Sequence, residues 1–320
     1  MGKYIVKRIL QAIPLLFIIS LIVFSLIQMA PYDVVDSLIT PNMSEEMIEL
    51  LRARYDLDQP FITRYFNWLQ NVLIGDFGNS LASGASISEE LAIRIPNTMR
   101  LVLPAYVTAL LLAIVLGMVA GANKNTWMDK IIDGLCSFGI AAPTFWVAML
   151  LIYFFGLRLG WFPILGMYTI GVSGDFADYL RHFVMPYTTL ILAFFPSLTR
   201  YIRMSTITQV DEDYVTIQKA FHATKLEIFS RHISRNILIP IVTQIGMALP
   251  MLVTGAVITE SIFSWPGVGP YLMSATRAMD YPVIMAVMLL SAILVILGNL
   301  LSDILYSIVD PRIRRAGGAK

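Results

Sequence analysis

The chain has 320 residues, of which 57% are hydrophobic and 14% charged, with a formal net charge of +1 and a mean hydropathy of +0.71. Soluble domains carry about 25% charged residues, so this sequence lacks the polar groups to cover a water-facing surface, and lipid is the solvent it fits. The near-neutral charge excludes a nucleic-acid footprint. The single cysteine, Cys136, excludes an internal disulfide and any C-x-x-C zinc or redox site.

A bilayer core needs about 20 apolar residues per helix. Six uncharged stretches reach or approach that length: 9–30, 101–122, 134–157, 182–199, 237–259 and 282–302. The first follows Lys3, Lys7 and Arg8 but is longer than a signal-peptide core and has no small-x-small cleavage site after it, so it reads as an uncleaved span. Between the first two spans lies the long segment 31–99. In it, 44–55 puts Met47, Ile48, Leu51 and Tyr55 on one helical face, and 59–73 starts at Pro60 and repeats Phe61, Tyr65, Trp68, Leu69 and Val72. Both are expected as short helices lying on the membrane surface and packed on the bundle. Near the other end of the chain, "SWPGVG" (264–269) reads as a loop between spans, with Trp265 at the membrane interface.

Orientation follows from basic residues in the short loops. With the N-terminus cytosolic, one side holds Lys3, Lys7, Arg8, Lys124, Lys130, the cluster Arg200 to Arg235 and the basic tail. The other side holds fewer, mostly in or beside the long 31–99 segment, where the rule has little force. Both termini are therefore expected in the cytosol.

Catalytic and nucleotide-binding patterns are absent from the sequence: there is no H-E-x-x-H, no G-x-S-x-G and no G-x-x-x-x-G-K-[ST]. The six span cores also contain no Asp, Glu, Lys or Arg. Ion-coupled carriers ordinarily keep such groups at membrane depth to bind the coupling ion, so energy is expected to enter from another polypeptide.

The most polar helical stretch is 214–240. Asp211, Glu212 and Asp213 supply negative charge and a capping candidate before a short helix, Tyr214 to Phe221. Thr224 and Glu227 form a T-x-x-E capping box that opens a second helix. Leu226, Phe229, Ile233 and Ile237 make one apolar stripe on it, and His222-Ala223 is the connector. A glycine-favouring left-handed turn is expected at His222, either with positive φ there or with the first helix ending earlier. On these residues alone the segment is either an interfacial helix lying on lipid or a helix presented to a groove on a soluble partner.

The stretch resembles the cytosolic "EAA" loop of ATP-binding-cassette importer permeases, with Gln218-Lys219-Ala220 at the position of the triplet and Ile237-Leu238-Ile239-Pro240 matching its ending. Further blocks are similar to the first permease of peptide and nickel importers: "RIPNTMRLVLPA" (94–105), "APTFWVAMLLIYFFGLRLGWFP" (142–163), "ESIFSWPGVG" (260–269), "DYPVIMAVMLL" (280–290) and "NLLSDILYSIVDPRIR" (299–314). Two departures stand out. Pro31-Tyr32-Asp33-Val34 replaces the usual P-G-D-P, and His222 replaces the loop glycine.

The resemblance implies an all-α, polytopic membrane protein with the six-helix type I importer permease fold. Residues 1–99 hold the first helix (9–30) and an extracytoplasmic segment. Residues 100–306 form the transmembrane core with the cytosolic coupling loop 206–236, and 307–320 are a cytosolic tail. It implies a non-enzymatic permease subunit in a bacterial plasma membrane, forming half of a pathway for peptides, nickel or a metal–opine chelate. The implied partners are a second homologous permease, two ATPase subunits carrying the ATP and magnesium, an extracytoplasmic binding protein and membrane lipid. No cofactor or metal is expected in this chain. Tyr214, Gln218, Lys219, Ala220, Phe221, His222, Ala223, Thr224 and Glu227 are the residues it implies for ATPase docking. An ion-coupled secondary carrier and a non-transporting membrane scaffold are the alternatives.

Overall fold

A computed structural model describes residues 2–29, 35, 39, 43–54, 58–172, 174–224, 227–248 and 256–309. Among these residues the regular elements are all helical. They are α1 (Gly2–Gln28), α2 (Glu45–Arg54), α3 (Phe61–Leu73), α4 (Ile87–Ala122), α5 (Trp127–Ala141), α6 (Thr144–Leu151), α7 (Phe176–Val210), α8 (Asp213–Ala220), α9 (Ser234–Ala248), α10 (Val257–Ile262), α11 (Val268–Arg277) and α12 (Tyr281–Val309). Two π-helical stretches, Ile152–Arg158 and Ile228–Ile233, extend α6 and lead into α9.

Three helices are long and apolar enough to cross a membrane, within Ile87–Ala122, Phe176–Val210 and Tyr281–Leu305. The bent pair Trp127–Ala141 and Thr144–Arg158 makes a fourth when counted as one span, and Leu10–Leu26 is apolar but shorter. The expected span 237–259 begins in α9, and 249–255 lie outside the described residues. The 134–157 stretch is not the single helix expected from its hydropathy. It breaks between Ala141 and Thr144 with a bend of 96°. Pro143 has no N–H to donate and its ring disfavours helical backbone at Ala142, which takes φ −76°, ψ 119°.

The helices α4 and α7 run parallel and form the spine of the fold. Contacts advance together along both: the hydroxyls of Thr108 and Tyr187 hydrogen-bond at 2.7 Å, then Gly117 meets Ile202, then Gly121 meets Thr206. Gly117 and Gly121 form a G-x-x-x-G pair, the spacing that lets two backbones approach closely in lipid. A Cβ added at Gly117 would lie 2.8 Å from Ile202 Cβ and 2.9 Å from the Thr199 carbonyl; one at Gly121 would lie 2.5 Å from Thr206 Cβ. Thr199 and Thr206 bond their own hydroxyls back to the carbonyls of Phe195 and Ile202, so neither brings an unpaired polar group to the seam.

The parallel pair sorts the remaining elements to two ends. At the end where α4 and α7 begin, α10 and α11 form a compact hairpin. Trp265 is not the exposed interfacial residue expected; it is fully buried among Leu101, Val102, Met167 and Leu190, and its indole N–H donates to the Asn97 carbonyl at 2.9 Å. Its large ring reaches a protein pocket that supplies the acceptor the indole needs. Glu260, also fully buried, accepts from the Gly269 N–H at 2.8 Å and so closes the hairpin. The loop after α3 is tied on by Ser80, whose hydroxyl donates to Asp280 at 2.5 Å.

At the same end, α3 packs as expected. Tyr65 is buried, with its hydroxyl 2.8 Å from Ser20 on α1 and its ring against Phe24. Of the face expected of α2, Met47 is exposed and Ile48 half-buried, while the Leu51 side chain and Tyr55 lie outside the described residues.

The seam generates a paired test. Gly121→Val is expected to overpack α4 against α7 and destabilise the fold by about 1–3 kcal/mol. Gly134→Ala, where an added Cβ meets nothing within 4 Å, is expected to be neutral or to stabilise by up to about 1 kcal/mol through helix propensity. Thermal unfolding of the detergent-purified protein measures both, and equal effects contradict the close-approach account.

Candidate docking site on the 211–236 segment

At the opposite end, α7 continues to Val210, five residues into the stretch expected to be loop, and Asp211 ends it. Glu212 is the N-cap of α8, but no acidic side chain caps the helix, contrary to the expected role of Asp211, Glu212 and Asp213. Their charge still favours the helix N-terminus electrostatically. The helix closes with paired bonds from His222 N–H to the Lys219 carbonyl and from Ala223 N–H to the Gln218 carbonyl, each 3.0 Å. This is a Schellman ending, which requires a left-handed residue at its turn position. His222 supplies it, at φ 58°, and imidazole-bearing residues are among the few side chains found there.

Thr224 then caps the second helix as expected: its hydroxyl accepts from the Glu227 N–H at 3.2 Å. Glu227 lies 3.7 Å from Arg231 across one turn. The helix differs from expectation in its register. Residues Ile228–Ile233 are π-helical, so one extra residue enters the turn. The buried stripe is therefore Ile228, Ile233 and Ile237, spaced by five and four, with Phe229 half-buried beside it. Leu226, expected to begin the stripe, lies outside the described residues.

The stripe meets protein. Val215 on α8 and Ile228, Ile233 and Ile237 share a core with Tyr106, Ala109, Leu198 and Ile202 from α4 and α7. The reading of 214–240 as a helix lying with its stripe on lipid is thereby corrected. The Tyr214 hydroxyl lies 3.1 Å from Gln209 Oε1, and burial raises its phenol above the ordinary pKa.

The two faces of α8 differ sharply. Of the expected docking residues, Tyr214, Gln218 and Ala223 are half-buried, while Lys219, Ala220, Phe221, His222, Thr224 and Glu227 are exposed. Phe221 is 78% exposed, and Ile217, which sequence reasoning missed, is 53% exposed. Ile217 and Phe221 are four residues apart, so they lie on one face of the helix, opposite the buried Val215. The i, i+4 spacing was legible; which apolar residues faced inward was not, because Tyr214, Val215, Ile217 and Phe221 share one arc of about 160° at 3.6 residues per turn.

Charges fix the helix that carries α8. The Arg203 guanidinium forks onto Asp129 at 2.5 and 2.7 Å, and the Asn125 N–H reaches the same carboxylate at 2.8 Å. Asp129 is only 2% exposed. One turn away Arg200 pairs with Asp133 at 3.3 Å, and nearer α8 Lys124 lies 3.7 Å from Asp211. The last pair is largely exposed and contributes about 0–1 kcal/mol. The buried fork is different: losing one member strands a charge.

The chain's first 102 residues match a family described as the N-terminal part of the binding-protein-dependent transport system membrane component. Residues 113–315 match the binding-protein-dependent transport system inner membrane component. The chain is 35% identical to the oligopeptide transport system permease protein AppB of Bacillus subtilis (strain 168) over 98% of its length and 99% of the relative's. It is 34% identical, with the same coverage, to the glutathione transport system permease protein GsiC of Escherichia coli (strain K12).

The fork makes a stability prediction that its geometry decides. Asp129→Ala is expected to cost about 3–5 kcal/mol because Arg203 loses its partner. Asp129→Ala combined with Arg203→Met is expected to recover more than half of that in thermal unfolding. A double variant no more stable than the single contradicts the stranded-charge argument.

Proposed function

This chain belongs to the binding-protein-dependent transport system inner membrane components, and from that premise we propose that it imports peptides by docking α8 on an ATPase. As a permease subunit of an ATP-binding-cassette importer it is a membrane component, not an enzyme, and not a self-sufficient ion-coupled carrier. The named relatives serve oligopeptides and glutathione. Both are peptides, so the reading favours peptides over the nickel or metal–opine chelate also expected from sequence. The partners are a second homologous permease, two ATPase subunits that hold ATP and magnesium, and a binding protein that delivers substrate.

The single observation that carries the docking role is the exposed Ile217–Phe221 pair beside the left-handed His222 turn. Two large apolar side chains in water on one turn of a rigidly terminated helix present a short anchor for a groove on a soluble partner. Val215 and the Ile228–Ile237 stripe seat the same segment on α4 and α7, so a displacement of α8 is carried into the spine rather than absorbed by a loose loop. The Asp129–Arg203 fork extends that rigid unit to α5. Nucleotide-driven closure of the ATPases thus has a mechanical route to the spans.

The orientation places α8 and both termini in the cytosol and the α10–α11 hairpin outside, supported by Lys124, Lys130, Arg200, Arg203 and Lys219 at the α8 end. Three experiments test this reading. With an impermeant thiol reagent on intact cells, Ser83→Cys is expected to react and Lys219→Cys only after permeabilisation; the reverse pattern overturns the orientation. Replacing Phe221 and Ile217 by Ala is expected to leave the subunit in the membrane but reduce ATPase co-purification at least tenfold, as loss of an interface anchor of 2 kcal/mol or more implies, roughly. His222→Gly keeps the turn and is expected to fold as well or better. Weaker ATPase association in that variant assigns the imidazole to the contact, and unchanged association leaves His222 as a turn residue alone.

A further inference from the structure

The hairpin at the end opposite α8 borders an open cleft of about 620 Å³. Ligand sites of this size are typically apolar with a few convergent polar groups, and this cleft has that composition. Trp265, Pro270 and Met273 contribute apolar wall, while Ser261, Ser264 and Arg277 bring polar side chains to it. Among the described residues no acidic side chain lines it.

Those polar groups are not used by the fold. The Ser261 hydroxyl is buried without a hydrogen-bond partner, a state that costs free energy unless something else pairs with it. Arg277 is exposed and makes no ion pair or hydrogen bond among the described residues. Ser264 is held at φ 49°, a left-handed conformation that a serine adopts only when its surroundings impose it. The hairpin that presents these groups is rigid: Glu260 and Trp265 anchor it from within, and the Thr98 hydroxyl accepts from the Val268 N–H at 2.9 Å.

We infer that this cleft receives the terminal carboxylate of a short peptide on its way into the pore. The inference rests on the peptide-import reading above. A guanidinium is the side chain best matched to a carboxylate, through two parallel N–H donors. The Ser261 and Ser264 hydroxyls can donate to the same oxygens, and the Pro270–Met273 wall, backed by the buried Trp265, suits the aliphatic or aromatic side chain of the last residue. An anionic lipid headgroup offers similar oxygens, but a lipid contact at Arg277 would weaken acid and amide uptake equally.

The test uses the complete importer, with both permeases, the ATPases and the binding protein, in proteoliposomes. Uptake of a labelled tripeptide is compared with uptake of the same tripeptide amidated at its C-terminus. The binding protein's affinity for each is measured separately and is common to all variants. The wild type is expected to prefer the free acid beyond the binding protein's own preference. Arg277→Met is expected to raise KM for the free acid about tenfold or more, as loss of a charge-assisted hydrogen bond implies, and to leave the amide unchanged. Arg277→Lys should restore part of the preference, and Ser261→Ala should reduce it without affecting assembly.

Equal loss for acid and amide in Arg277→Met overturns the inference and points to a structural or lipid contact. An unchanged preference overturns it too, assigning discrimination to the binding protein. If the wild-type importer moves neither peptide, the peptide-import reading itself falls, and the cleft assignment falls with it.

Discussion

The close approach of α4 and α7 is the contact on which the rest of the structure depends. In lipid, apolar side chains gain little by meeting one another rather than acyl tails, so helix association relies on close packing and satisfied polar groups. Gly117 and Gly121 remove the side chains that would hold the two backbones apart, and Thr199 and Thr206 face them with their hydroxyls already bonded. Because the two helices are parallel, their starts and ends coincide. One end then collects the hairpin that buries Trp265, and the other collects α8 and the π-helical turn on a shared hydrophobic core.

That arrangement explains why a charged segment sits among apolar ones. The 211–236 stretch buries Val215, Ile228 and Ile233 against α4 and α7 and exposes its charged residues together with Ile217 and Phe221. It is neither a tether nor a surface float. The charge pairs around it form a graded set, from the exposed Lys124–Asp211 contact to the buried Asp129–Arg203 fork. The graded burial leaves the connection near α8 adjustable, while α5 is firmly fixed to α7. A unit built this way moves as a body, which is what a part driven by another subunit needs.

Much of this was legible from sequence, and the misses have physical causes. The Thr224 cap on the Glu227 N–H, the left-handed turn at His222 and the packed face of α3 follow from local rules that short-range geometry enforces. The break at Pro143 was legible in principle, since Pro disfavours helix at its predecessor, but the unbroken hydropathy of 134–157 masked it. The π-helical register at Ile228–Ile233 leaves no local signal; it arises because tertiary packing, not propensity, selects which isoleucines face the core. Trp265 misled for a related reason. An aromatic beside Pro-Gly at a span end fits a membrane interface, and only the facing Asn97 carbonyl shows that a buried partner was available.

The claim at the centre of this account is that the exposed face of α8 is covered by the ATPase. A photo-crosslinking residue placed at Phe221 in the assembled importer tests it most directly, with one at the inward-facing Val215 as reference. The account predicts that Phe221 crosslinks to the ATPase in high yield while Val215 crosslinks within its own chain. Crosslinking of Phe221 to lipid, to the second permease or to the binding protein contradicts it.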